Sequence, residues 1–206
     1  MSDVDQNKTA LENLKHLYDT SIPDIFLQIG FINFNPYSTI DKLISNVEFL
    51  RNYHLLNFRT INTRLSLTPS QPIAKKVMRD LLLKQDLNYS FVDGYAYNFA
   101  FNNIEKLYNI LQYISHIVKP ILYDTIYYFI NYIRLYSNIS VYEKDMLVLY
   151  EYNNFVGEII YNLFYEIVNM ITKDENFIKE IVNEKFLNYI NQLNTYKTQL
   201  NIFGKK

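Results

Sequence analysis

Apolar positions recur at helical spacing along most of this chain, and the spacing predicts a series of amphipathic helices. Near the start, Leu11, Leu14, Leu17 and Tyr18 mark one or more helical turns. From Ser21 to Tyr37, Pro23, Gly30 and Pro36 interrupt apolar residues, which predicts an extended, packed arm. A helix is expected to begin at Ser38, a capping residue with Asp41 three positions on. Its buried stripe is Ile40, Leu43, Ile44, Val47 and Leu50. Asn57 to Leu67 is too short and irregular for an assignment and is taken as a connector.

A second main helix is expected from Ser70, with Pro72 in the first turn, where a missing N–H costs nothing. Ile73, Val77 and Leu81 share one side with Ala74, Met78 and Leu82, while Lys75, Lys76 and Arg79 fall on the other. The pattern breaks around Ser90 to Gly94. Four helical stripes follow. The first holds Phe99, Ile104, Leu107, Tyr108, Leu111, Ile114 and Val118 and stops at Pro120. The second holds Leu122, Ile126, Phe129, Ile130 and Ile133 and breaks near Ser137 to Ser140. The third, long one runs from Met146 through Leu149, Val156, Ile160, Leu163, Phe164 and Ile167 to Ile171. The last starts from a capping box, Thr172 to Glu175, and carries Ile178, Val182, Tyr189, Leu193, Tyr196 and Leu200. Short breaks favour antiparallel neighbours. The expected fold is therefore all-α, with two main helices in residues 1–94 and an antiparallel helical bundle in residues 95–206. No sequence repeat or sustained heptad argues for a solenoid or a coiled coil.

Composition agrees with long elements. Only 4 Gly and 5 Pro occur, too few for a turn-rich β-sandwich. No Cys is present, which excludes disulfides, thiolate chemistry and Cys-containing metal sites. The 20 Tyr and 14 Phe supply large rings for packing, and AT-rich codons offer a second account of their number. The start, MSDVDQNKTALENLK, is too polar for a signal peptide and too acidic for a transit peptide. The most apolar stretch, Ile114 to Ile133, is interrupted by His116, Lys119, Pro120 and Asp124, so no membrane span is expected.

Charge changes the picture more than composition does. The net charge of −1 conceals segregation: residues 51–84 hold 7 basic and 1 acidic side chains, while the segments on either side are acidic. Four of the five Arg lie in that segment. Guanidinium groups present a fixed fork of donors that suits phosphate oxygens. Arg51, Arg59, Arg64, Lys75, Lys76, Arg79 and Lys84 are thus the candidate phosphate contacts. Two other readings stand beside this one: solubilisation or internal pairing with the acidic segments, and an acidic protein partner.

No catalytic constellation is legible. Phosphate loops, dinucleotide fingerprints, nucleophile elbows and HExxH are absent. His16, His54 and His116 stand apart, and Glu158 and Glu166 are eight residues apart with no Glu-x-x-His pattern. No cofactor, metal or small-molecule substrate is expected. Tyr123, Tyr127, Tyr128, Tyr132 and Tyr136 offer stacking surfaces for bases, but they sit in an apolar helix where packing accounts for them.

The run Phe34-Asn35-Pro36-Tyr37-Ser38-Thr39-Ile40, followed by Leu43-Ile44-Ser45-Asn46-Val47, resembles the start of the first DNA-wrapping helix in major capsid proteins of rod-shaped and filamentous archaeal viruses. Ser70 through Gln85 corresponds to the second such helix, and Gly94 through Phe101 to the approach to the bundle. The resemblance covers about residues 30 to 200 and rests on architecture and short matches. It implies a helix-turn-helix arm that wraps double-stranded, A-form DNA without sequence specificity, and a bundle that forms the wall of a helical nucleocapsid. It also implies packing with copies of the chain and with a related second capsid protein as a heterodimer. The implied location is the virion, and the host cytoplasm before assembly, with room for peripheral contact with a viral envelope. The few cations and the acidic first 50 residues depart from a strongly basic DNA-coating arm. The competing expectation is a helical-bundle viral protein that binds a host or viral partner through a hydrophobic groove. The BH1-type core of apoptosis regulators, which needs Trp, is missing.

Overall fold

A computed structural model describes residues 30–84, 94–117 and 139–199, together with Thr9, Ala10, Glu12, Asn13 and His16. Within 139–150, and at 193 and 196–199, the description is of the backbone alone. The chain is mostly helical, and no strand occurs among the described residues. The Leu122 to Ile133 stripe and the tyrosines from Tyr123 to Tyr136 lie outside the described residues, as do Leu11, Leu14, Leu17, Tyr18, Pro23, Val118 and Pro120.

Helix α1, Ile40–Asn52, buries Leu43, Val47 and Leu50, as the stripe predicts. Its cap is Thr39 and not Ser38: the Thr39 hydroxyl accepts from the Lys42 N–H at 3.4 Å. Ser38 is buried and turned backward, where its hydroxyl accepts from the Asn35 N–H at 2.9 Å and closes the preceding turn. The connector contains one short helix, α2, Phe58–Asn62, set by a capping box between Asn57 and Thr60. Helix α3, Pro72–Arg79, buries Ala74 and Val77.

Both α1 and α3 end in the same way, and neither ends on glycine. The amide of His54 donates to the carbonyl of Arg51, and that of Leu55 to the carbonyl of Leu50. Likewise Leu81 donates to Met78, and Leu82 to Val77. These are paired Schellman bonds, which require a left-handed residue just past the helix. His54 and Leu81 take that place, with φ of 56° and 55°. The expected helix from Ser70 to Gln85 is therefore cut short at Arg79, and Leu81 leaves the apolar side to stand 87% exposed. A γ-branched side chain in this conformation is strained and here covers little. Leu81→Gly is expected to raise unfolding stability by about 0.5–1 kcal/mol, read from the urea midpoint.

Among the described residues, three isolated bridges join the segments between helices. Phe34 pairs with Arg64 and Leu67 with Gly94 in parallel, and Leu83 pairs with Tyr97 in antiparallel. Beyond them, helix α4, residues 102–117, buries Ile104, Leu107, Ile110, Leu111 and Ile114. The long helix α5, Ile139–Asn169, buries Val156, Ile160, Leu163, Phe164 and Ile167. A turn through 170–174 leads into α6, Glu175–Gln199, which packs against α5. The cap of α6 is Asp174 and not Thr172: its Oδ1 accepts from the amides of Asn176 and Phe177. Helix α1 lies against α5, and buried residues from Phe34 to Phe186 form one core cluster.

Candidate nucleic-acid interface

The seven cations of residues 51–84 divide into three groups once the chain is folded. Arg51 and Arg64 are engaged by groups of their own chain, Arg51 at the surface and Arg64 half-buried. The Arg51 guanidinium meets Glu158 with two hydrogen bonds, Nε to Oε1 and Nη2 to Oε2, each 2.8 Å, and lies 4.0 Å from the centre of the Tyr161 ring. The Glu158 bond holds the Arg51 guanidinium more firmly protonated than usual. Beside it, Glu48 accepts from the hydroxyls of Tyr161 and Tyr165. This cluster fastens α1 to α5 through polar groups around an apolar contact.

Arg64 sits in an aromatic enclosure. Its guanidinium carbon is 3.8 Å from the Tyr97 ring centre, 5.0 Å from that of Phe99 and 5.4 Å from that of Tyr108. The guanidinium also donates to the Tyr97 carbonyl, and the Tyr97 hydroxyl donates to the Leu65 carbonyl at 3.1 Å. Cation–π contact with partial desolvation gives this arginine a packing role. Its charge faces rings of its own chain.

Lys84 stands between the groups: it is exposed, with its Nζ 3.7 Å from Glu105. Arg59, Lys75, Lys76 and Arg79 are exposed on helices. Three of these belong to α3 and lie on the side opposite Ala74 and Val77, as the spacing predicts. Lys76 and Arg79 also oppose the negative end of the α3 dipole.

A small polar cluster sets the position of that cationic side. The Tyr37 hydroxyl donates to Asp80 Oδ2 at 2.8 Å, and Arg79 Nε lies 3.0 Å from Asp80 Oδ1. Lys76 Nζ is 3.9 Å above the Tyr37 ring. The Tyr37 hydroxyl first, and Arg79 next, hold the Asp80 carboxyl below its ordinary value. Burial, then the bond to Asp80, push Tyr37 up to about 12. The tie joins the turn before α1 to the end of α3. Asp80 is the sole acid of residues 51–84, and that isolation was the one sequence signal for its pairing role. Tyr37 and Leu81 gave no signal of their own.

The Glu48 cluster carries a pH consequence. Hydrogen bonds from Tyr165, then Tyr161, lower the Glu48 pKa below its usual 4.5. A depressed carboxyl adds stability above its unfolded value, and that stability is lost as pH falls through the folded value. Urea midpoints are therefore expected to drop on acidification below about pH 4.5. Glu48→Gln is expected to flatten that acid limb; an unchanged limb in the variant would remove Glu48 from the account.

Among the described residues, no group of three or more His, Asp or Glu side chains is arranged to hold a metal ion, and no helix is long and apolar enough to cross a membrane. Set against protein-family models, curated proteins and solved structures, the chain matches none.

Proposed function

We propose that this chain is a structural coat protein that binds and wraps double-stranded DNA without sequence specificity, in many copies along a helical nucleocapsid. The observation that carries the reading is the outward side of α3, where Lys75, Lys76 and Arg79 stand together and exposed. Three cations on two helical turns suit the phosphates of a duplex backbone, which position a protein without reading sequence. Arg51 and Arg64 are left out of the contact set, since Arg51 holds Glu158 by two bonds and Arg64 is enclosed by the Tyr97, Phe99 and Tyr108 rings, whereas Arg79 gives Asp80 its Nε alone and its side chain is 72% exposed. Arg59 and Lys84 are secondary contacts. Such a surface is weak in one copy and gains strength by repetition along one DNA molecule.

The outward side of α6 supports the subunit-packing half of the reading. Phe177, Glu180, Glu184 and Leu187 recur at helical spacing there, all exposed, opposite buried Ile178, Val182 and Phe186. Exposed large apolar side chains among acids suit a protein neighbour, either a second copy or a related capsid protein, and they are poorly suited to DNA.

Salt dependence tests the proposal. Three phosphate contacts give a slope of about −2.7 in log K against log salt, or roughly 40-fold weaker binding between about 50 and 200 mM. Each of Lys75→Gln, Lys76→Gln and Arg79→Gln is expected to reduce the slope by about 0.9 for any duplex sequence. Anisotropy of a labelled duplex reads both quantities. Folded protein that leaves the duplex free at low salt would sink the proposal, and so would a slope indifferent to all three substitutions.

A further inference from the structure

Leu81 is placed where the fold gains nothing from it. It occupies the left-handed position of a Schellman ending, which glycine fills without strain, and its side chain stands 87% exposed. It follows directly on the helix that carries Lys75, Lys76 and Arg79, and Met78 on the same helix is also exposed. The nearest acid, Asp80, is occupied by the Tyr37 hydroxyl and by Arg79. With Arg79 and Asp80 offsetting each other, Lys75 and Lys76 leave the surroundings of this apolar side chain cationic. A surface of that kind fits a partner with negative charge outside and an apolar recess beside it. A duplex offers both, since phosphates flank grooves lined by sugars and base edges, and apolar side chains are used against them.

We propose that Leu81 is an apolar contact of the duplex-binding surface, laid into a groove while Lys75, Lys76 and Arg79 hold the adjoining phosphates. This rests on the nucleic-acid reading of α3. The strained backbone is retained because it aims the side chain away from the core and past the end of the helix. Leu81 adds affinity without adding charge, so its effect is separable from that of the cations.

The experiment compares the full chain with Leu81→Gly, Leu81→Asn and Lys75→Gln/Lys76→Gln/Arg79→Gln. Binding is read by anisotropy of a labelled duplex across a salt series, with thermal unfolding and sedimentation of each protein alone. Asn tolerates the left-handed conformation and keeps bulk while removing the apolar surface. The expected result is duplex affinity about tenfold weaker for both Leu81 variants, with the wild-type salt slope and with no loss of thermal stability in Leu81→Gly. The triple variant instead loses slope. If both Leu81 variants bind as tightly as wild type while the triple variant loses slope, the Leu81 proposal falls and the DNA reading stands. Duplex left unbound by wild type removes both. Unchanged DNA affinity with altered sedimentation of the free protein would give Leu81 to a subunit contact, which also overturns the proposal.

Discussion

Gly94→Ala is expected to unfold at lower urea than wild type, with a loss of about 2–5 kcal/mol. Two costs combine there. The glycine holds φ of +71°, where an L side chain is strained by about 1–2 kcal/mol. A Cβ at this position would also lie 2.3 Å from the Leu67 carbonyl oxygen and 2.8 Å from its carbon and nitrogen. Those are backbone atoms fixed by the Leu67–Gly94 bridge and by the Tyr95 amide, which donates to the Leu67 carbonyl at 2.8 Å. Relief requires movement of the segment, an overpacking cost of about 1–3 kcal/mol. Gly30→Ala is the control. Nothing lies within 4 Å of a Cβ there, and its midpoint should stay within about 0.5 kcal/mol of wild type. Equal behaviour of the two variants would show that Gly94 does not press on Leu67.

Phe34→Ala is expected to cost a comparable amount, about 3–5 kcal/mol, for a different reason. The Phe34 ring is fully buried, with ring centres 5.8 Å from Phe99 and 5.2 Å from Tyr108, both at steep angles. Its backbone is held on both sides: the Phe34 amide donates to the Thr63 carbonyl at 2.9 Å and the Leu65 amide donates to the Phe34 carbonyl at 2.7 Å. The segment cannot easily collapse into the space a truncated side chain leaves, so the cavity persists. The same rings face Arg64, so the substitution also loosens the wall of the guanidinium enclosure. A loss under about 1 kcal/mol in chemical denaturation would mean that the cluster closes over the gap.

Helix interiors were legible in the sequence because a periodic apolar stripe reports burial directly. Leu43, Val47 and Leu50, then Ile104, Leu107 and Ile114, and then Ile160, Leu163 and Ile167 are all buried where the spacing puts them. Helix ends were less legible. Ser38 and Thr39, like Thr172 and Asp174, offer competing caps within two residues, and the outcome depends on which backbone amide each side chain meets. Leu81 and Leu82 continue the period of α3 after the helix has ended, and no glycine announces the reversal.

The candidate interface divides along the same line. The exposed Lys75, Lys76 and Arg79 followed from helical geometry over a few residues. The commitments of Arg51 to Glu158 and of Arg64 to Tyr97 cross 107 and 33 positions of sequence, and no local pattern encodes them. A count of basic residues therefore overstates the charge available to a partner. Telling them apart needed distances, since an arginine over a tyrosine ring and one facing water read alike in sequence.

The joint between α1 and α5 governs how the chain reaches this arrangement. Gly157 brings α5 within reach of Leu56, whose carbonyl oxygen would stand 3.0 Å from an added Cβ, and Glu158 beside it takes Arg51. Glu158 is thus synthesised 107 residues after Arg51, and Gly157 about as long after Leu56, so this joint must wait for a late helix. Closing so long a loop favours slow assembly and leaves the side of α1 that meets α5 uncovered until that helix has emerged.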